Sequence, residues 1–274
     1  MPPKILPIRE SASLIMMSRN KILFLRRPPN GSYPGAHVFP GGVREDGDAS
    51  MEITALRETF EESGILIDPK LNSVAYDRTS CSNVYEQALS AAAEPGSTFP
   101  YKYRWRSSPS ENLQLQLFSS WLTPPIMAKK SRFYTYFYLL HMPDTAPPLA
   151  PIAIEPNPHA VKSGELLSSS MEWLTATEAL ELFDHRKLKL FPPQYYLLRG
   201  IKTEGISSFL DRVGQRVIQP EFKKRWTSDL VDETDTPART ILMDWGHGEG
   251  GEVTVGKDGV PIAIKYIQAD LAKL

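Results

Sequence analysis

The sequence predicts an α/β fold, and three observations carry that expectation. Two runs rich in apolar residues, Ser11–Met17 and Lys21–Arg26, flank the turn-like Ser18-Arg19-Asn20. An amphipathic helix ends near Ser63. Strand character then returns at Phe118–Leu122 and Phe133–Leu140, ahead of another helix beginning at Thr175.

Taken in order, the first two runs form a hairpin that leads into the loop Pro28–Gly35, and His37-Val38-Phe39-Pro40 makes a further short strand. The helix starts at Asp48 or Ser50, either of which can cap it, and places Leu56 and Phe60 on the face that meets the sheet. Gly64 suits a left-handed helix stop, and Ile65 returns the chain to the core. Residues 73–116 are mixed polar and helical in pattern, with a loop at Glu94-Pro95-Gly96-Ser97, and are predicted as a helical insertion. A proline-rich loop runs from Pro143 to Pro158. Met171–Leu174 then enters the helix at Thr175, where Glu178 completes a capping-box spacing. Beyond residue 200 the expectations are a helix over Ile206–Val217, a flexible glycine-rich loop over Gly246–Gly251, and a hairpin of Glu252–Val255 with Pro261–Tyr266. The resulting organisation is a domain at 9–200 and a C-terminal extension at 201–274.

Composition sets the broad class. With 274 residues, 41% apolar, 23% charged and a net charge of −1, the chain has enough apolar content for a large core and lacks the composition of a disordered segment. Near-neutral charge argues against a general nucleic-acid binder. The one cysteine, Cys81, excludes an intramolecular disulfide framework. The longest strongly apolar run, Phe133–Met142, is too short to span a bilayer, and Met1-Pro2-Pro3-Lys4 opens no signal-peptide pattern. The closing Ala272-Lys273-Leu274 is a conservative variant of the Ser-Lys-Leu address read by the peroxisomal import receptor, so a peroxisomal location is expected, with the cytoplasm as the alternative.

The chemistry concentrates in Gly41-Gly42-Val43-Arg44-Glu45-Asp46-Gly47-Asp48 and in Arg57-Glu58-Thr59-Phe60-Glu61-Glu62-Ser63-Gly64-Ile65. Residues three and four apart share a helix face, so Glu58, Glu61 and Glu62 project toward one patch. Such like charges repel unless a cation neutralises them, and hard carboxylate oxygens suit Mg2+ or Mn2+, whose shell substrate phosphates complete. Arg57, beside Glu58 and four residues before Glu61, can hold a carboxylate in one orientation. The plain alternative is a solvated acidic helix face.

These residues resemble the Nudix box: Gly, five residues, Glu, seven residues, then Arg-Glu-apolar-x-Glu-Glu-x-Gly-apolar. Gly42, Arg57, Glu58, Glu61, Glu62, Gly64 and Ile65 match by type. Asp48 replaces the first Glu, eight residues rather than seven separate it from Arg57, and Thr59 stands where an apolar residue is usual. Ser11-Ala12-Ser13, Ala36–Gly42, Ser119–Pro124, Arg132–Phe137 and Leu190–Tyr195 further resemble the peroxisomal acyl-coenzyme A diphosphatase branch of that family. For Trp121, Phe133 and Tyr136 a core role is the competing expectation, because aromatics alternating along strands usually pack.

The resemblance implies a Nudix-type α/β/α sandwich with a mixed β-sheet, and metal-dependent hydrolysis of a diphosphate in coenzyme A or acyl-CoA. Products would be 3′,5′-adenosine bisphosphate and the phosphopantetheine. Metal ligands would be Glu58, Glu61 and Glu62 with the Gly42 carbonyl, with Arg57 orienting them. The proton acceptor would be Glu58, Glu61 or a distant loop carboxylate, Glu165 or Glu172. Arg26, Arg27, Lys129, Lys130 and Arg132 are candidates for the 3′-phosphate. A dinucleotide, nucleotide sugar or prenyl diphosphate is the alternative substrate, and a non-catalytic binding module is the alternative of another class. His247 and Glu249 could suggest a second metal site, but two ligands without the remaining spacing are a weak signal and a plain glycine-rich loop is the favoured reading.

Overall fold

Strand β1 (Ile8–Ser18) is apolar on both faces through Leu14, Ile15, Met16 and Met17, as a strand buried on both sides must be. In this computed structural model, which describes residues 6–28, 33–63, 65–68, 73–75, 115–125, 128, 130–142, 170–214, 216–232, 234 and 236–268, β1 is the spine of a mixed sheet. It pairs in parallel with β8 (Arg132–His141), and β8 pairs antiparallel with β7 (Leu115–Leu122). On its other side β1 meets β2 (Lys21–Arg26) only at Met17↔Ile22 and Ser18↔Lys21. Beyond those pairs the two strands part. Strand β3 (His37–Val38) takes the edge of β2, and β4 (Gly41–Val43) takes that of β1.

Alternate residues of β1 feed two cores. Ala12, Leu14 and Met16 pack with Ile53, Leu56 and Phe60 of helix α1 (Met51–Ser63). Ile15 and Met17 pack with α2 (Ala176–Asp184) through Phe183, α3 (Pro192–Glu204) through Leu197, and α4 (Ile206–Val213) through Phe209. The sheet is therefore sandwiched between helices, the expected α/β/α arrangement. Strand β9 (Ser170–Leu174) joins β2 and runs into α2, where Thr175 and Glu178 exchange both capping-box hydrogen bonds.

The ends of the predicted insertion are strand: β6 (Ser73–Ala75) pairs with β5 (Leu66–Asp68), and β7 already begins at Leu115. The rest of that insertion, Cys81, Gly64, Lys129, the Pro143–Pro158 loop, Glu165 and Ala272-Lys273-Leu274 lie outside the described residues. The helix expected over Ile206–Val217 stops at Val213, because Val217–Ile218 (β10) pairs in parallel with Ser120–Trp121 of β7. Helix α3 had been hidden by its prolines. Pro192 and Pro193 sit in the first turn, where the missing N–H costs nothing.

The glycine-rich segment near the end is not a flexible loop. Strands β11 (Glu221–Val231), β12 (Pro237–Gly246), β13 (Glu249–Val255) and β14 (Pro261–Gln268) form an antiparallel sheet. His247 and Gly248, at φ 58° and 74°, make the tight β12–β13 turn. Ile241, Met243 and Val253 share the core of α3 and α4, so this sheet packs as part of the same apolar mass. Among the described residues no helix is long and apolar enough to cross a membrane.

Candidate active site

The site is assembled where β4 wedges beside β1 and helix α1 crosses the sheet. Before the helix, Asp48 folds back into a turn, its N–H donating to the Glu45 carbonyl at 3.0 Å. Its carboxylate accepts from the Glu45 N–H at 3.0 Å and from Thr54 Oγ1 at 2.9 Å. That fixes it over the first turns of α1, facing Arg57.

Arg57 is the hub. Nε and Nη2 donate to Asp48 at 3.0 and 2.9 Å, and Nη2 also donates to the Val43 carbonyl at 2.9 Å. Nη1 reaches Glu61 at 2.9 Å and lies 3.1 Å from Glu58. Burial alone would lower the arginine's pKa, but the Asp48 hydrogen bonds and the charges of Glu58, Glu61 and Asp48 outweigh it and hold it above its ordinary value. Burial would likewise raise Asp48, and the Arg57 hydrogen bonds reverse that, leaving its carboxyl below the usual range. The extra residue before Arg57 is thus absorbed by the Glu45–Asp48 turn, and aspartate does the holding.

Two glycines let the loop pack closely, Gly42 against the helix and Gly41 against β1. A Cβ on Gly42 would stand 2.4 Å from the Glu58 carboxyl, and one on Gly41 would stand 2.3 Å from the Ala12 carbonyl oxygen. The Glu58 carboxylate therefore rests on the Gly42 backbone. One turn on, Glu62 accepts the Gly41 N–H at 2.9 Å. Glu58 is buried, whereas Glu61 and Glu62 are half-buried at the rim.

Glu58, Glu61, Glu62 and the Gly42 backbone thus share one lip. Among the described residues no three Asp, Glu, His or Cys side chains converge as a ready-made ion cage. The donor chemistry nevertheless fits a hard divalent cation: all the groups are oxygens, and each carboxylate carries about four lone-pair sites.

Other expected residues lie elsewhere. Glu172, on β9, sits 3.7 Å from Nε2 of His37, whose pKa burial lowers against the opposing pull of that carboxylate. Arg132 Nε donates to the Thr123 carbonyl at 2.7 Å. Trp121 is core, as expected of a strand aromatic, while Phe133 and Tyr136 are half-buried. Glu249 is buried and accepts from Tyr196 at 2.7 Å, Tyr266 at 2.6 Å and Arg212 at 2.8 Å, so it is an internal ion-pair partner. Sequence reading missed Glu10, whose carboxylate accepts from Arg44 Nη1 at 3.0 Å and from the Tyr136 hydroxyl at 3.5 Å. Arg44, inside the glycine loop, was the available clue.

Residues 47–201 match the family described as the NUDT19 Nudix domain. The acyl-coenzyme A diphosphatase NUDT19 of Gallus gallus is 27% identical over 97% of this chain and 83% of its own length. The Xenopus laevis protein of the same name is 30% identical over 81% of this chain and 57% of its own length. Among solved structures, a NUDIX hydrolase from Alicyclobacillus acidocaldarius aligns with 74% of this chain and 95% of its own at 21% identity and a TM-score of 0.49. The chain belongs to the NUDT19 Nudix domain family.

Proposed function

We propose that this protein hydrolyses the diphosphate bond of coenzyme A or an acyl-CoA, giving 3′,5′-adenosine bisphosphate and the (acyl)phosphopantetheine. The observation that carries the reading is the Arg57 clamp, which brings Glu58 onto the Gly42 backbone with Glu61 and Glu62 beside it. The acyl-coenzyme A diphosphatase relatives support the substrate class.

Glu58, Glu61, Glu62 and the Gly42 carbonyl would hold Mg2+ or Mn2+, which when bound neutralises diphosphate charge and lowers the pKa of water. Arg57 holds Glu58 and Glu61 beside each other at the glycine loop before substrate arrives. Water attacks one phosphorus, its oxygen forming the new P–O bond as the bridging P–O bond breaks. The water proton passes to a carboxylate, either Glu58 or Glu61 of the helix or a distant one, Glu165 or Glu172. The leaving phosphate oxygen departs as the anion.

The test incubates purified protein with Mg2+ and CoA, acyl-CoA, ADP-ribose, NADH and prenyl diphosphate, with products identified by mass. Adenosine bisphosphate from the CoA compounds, reduced at least about a hundredfold by Glu61→Gln, is expected. Preferential cleavage of another diphosphate would move the substrate assignment, and release from none would leave a binding module. Glu165→Gln lowering kcat and removing the fall in rate at acid pH, with Mn2+ affinity unchanged, would mark Glu165 as the proton acceptor, and an unchanged kcat would leave that role to another of these carboxylates.

A further inference from the structure

Cross-strand register places two rows of residues side by side on the α1 face of the sheet. Gly42, Ala12 and Tyr136 make the first row. Arg44, Glu10 and Tyr134 make the second: Glu10 pairs with Tyr134, and the Arg44 N–H donates to the Glu10 carbonyl at 3.0 Å. Strand spacing puts the Tyr136 backbone about 10 Å from Gly42, against which the Glu58 carboxyl rests.

The second row, with Tyr136 of the first beside it, is chemically unlike a core. Tyr134 and Tyr136 are half-buried, with ring centroids 4.8 Å apart and planes inclined at 65°. Glu10 is exposed, held by Arg44 at 3.0 Å and 3.5 Å from the Tyr136 hydroxyl. Arg44 also donates to the Asp48 carbonyl at 3.5 Å, which ties the row to the turn that holds Arg57. Burial, then the neighbouring Tyr134 and Glu10, push the Tyr136 hydroxyl pKa up, so it stays a neutral donor to Glu10 at physiological pH.

An aromatic surface with a fixed carboxylate at its edge suits a flat heterocycle bearing an amino group. The ring stacks on the tyrosine, and the carboxylate, which only accepts, takes a hydrogen from the exocyclic nitrogen. Building on the proposed reaction, we infer that Tyr134, Tyr136 and Glu10 form the subsite for the adenine base of the nucleotide half of the substrate. Tyr134 supplies the stacking face, and Glu10 accepts from the adenine amino group. Arg44 holds Glu10 in place and is a positioning residue.

The test is calorimetric titration of the full chain, with Mg2+, by adenosine 3′,5′-bisphosphate and by its inosine analogue, which lacks the amino group. Tyr134→Ala should weaken adenosine bisphosphate binding about tenfold or more, and Tyr134→Phe, which keeps the ring, should remain within about twofold of wild type. Glu10→Gln should erase the preference for the adenosine over the inosine compound. Thermal unfolding of each variant separates lost binding from lost fold. The assignment is overturned if the wild type does not bind the nucleotide, if Tyr134→Ala binds as wild type does, or if Glu10→Gln keeps the preference. It is also overturned if the variants lose affinity for phosphopantetheine instead. Nucleotide binding without CoA hydrolysis would strike the proposed reaction alone, while intact hydrolysis with unchanged KM in Tyr134→Ala would strike the subsite alone.

Discussion

Asp48 and Arg57, nine positions apart, share two hydrogen bonds of 3.0 and 2.9 Å with both side chains almost wholly buried. The pair joins the glycine loop to the helix. Asp48→Ala would leave the guanidinium buried without its bidentate partner, and an uncompensated buried charge costs about 3–5 kcal/mol. Glu58 and Glu61 still face Arg57, so the expected loss lies near 3 kcal/mol. Urea unfolding of the variant measures it, and a change within about 0.5 kcal/mol would show the clamp to be dispensable.

The same pair sets a pH signature. Asp48 titrates lower in the fold than in the unfolded chain, where an aspartate has a pKa of about 3.9. Its contribution is therefore present above about pH 4 and is lost as pH falls through the lower, folded value. Wild type and Asp48→Asn should differ by a constant unfolding free energy from about pH 5 to 8, with the gap narrowing below about pH 4. A gap that widens on acidification contradicts the assignment.

Two glycines should respond in opposite ways to the same methyl. At Gly42 the new carbon meets the far end of the Glu58 side chain at 2.4 Å, and that end can swing away. Gly42→Ala should therefore keep its fold, and on the proposed reaction lose most of its metal-dependent activity. At Gly200 the carbon meets the Phe209 ring at 2.2 Å, inside a core where that ring is fully buried. Overpacking there costs about 1–3 kcal/mol, so Gly200→Ala should lower the unfolding temperature. Thermal scans paired with activity on the two variants give the comparison.

What could be read in advance follows the range of the forces involved. The β1–β2 hairpin, α1 and the Thr175 cap are local, set by turn residues, apolar spacing and a four-residue motif, and the chain displays them directly. Strand β11 is not local. Its Glu221-Phe222-Lys223-Lys224-Arg225 opening is exposed along nearly its whole length, and pairing with β12 makes it a strand. The carboxylate cluster was legible as helix periodicity, and Asp48 as a displaced match. Glu10 was not, because β1 reaches Arg44 and Tyr136 only through pairings with β4 and β8, 34 and 126 residues away. Glu249 was misleading for the same reason: its partners Tyr196 and Arg212 come from α3 and α4.

That Glu249 network makes a prediction of its own. Arg212 holds Glu204 at 2.7 Å and Glu249 at 2.8 Å, and the Glu249 side chain is only 7% exposed. Removing the arginine strands a buried carboxylate with two tyrosine hydroxyls, Tyr196 and Tyr266, as its remaining donors among the described residues. Arg212→Ala should cost about 2–3 kcal/mol, below the full value for a buried pair because the guanidinium is partly solvated. By contrast Arg44→Ala, which breaks an ion pair with both side chains more than 40% exposed, should cost no more than about 1 kcal/mol. Adding Glu249→Gln to Arg212→Ala removes the stranded charge and should recover part of the loss. A double-mutant cycle in urea reads this coupling directly, and additive effects would mean that Arg212 stabilises the fold through its stem or Glu204 rather than through Glu249.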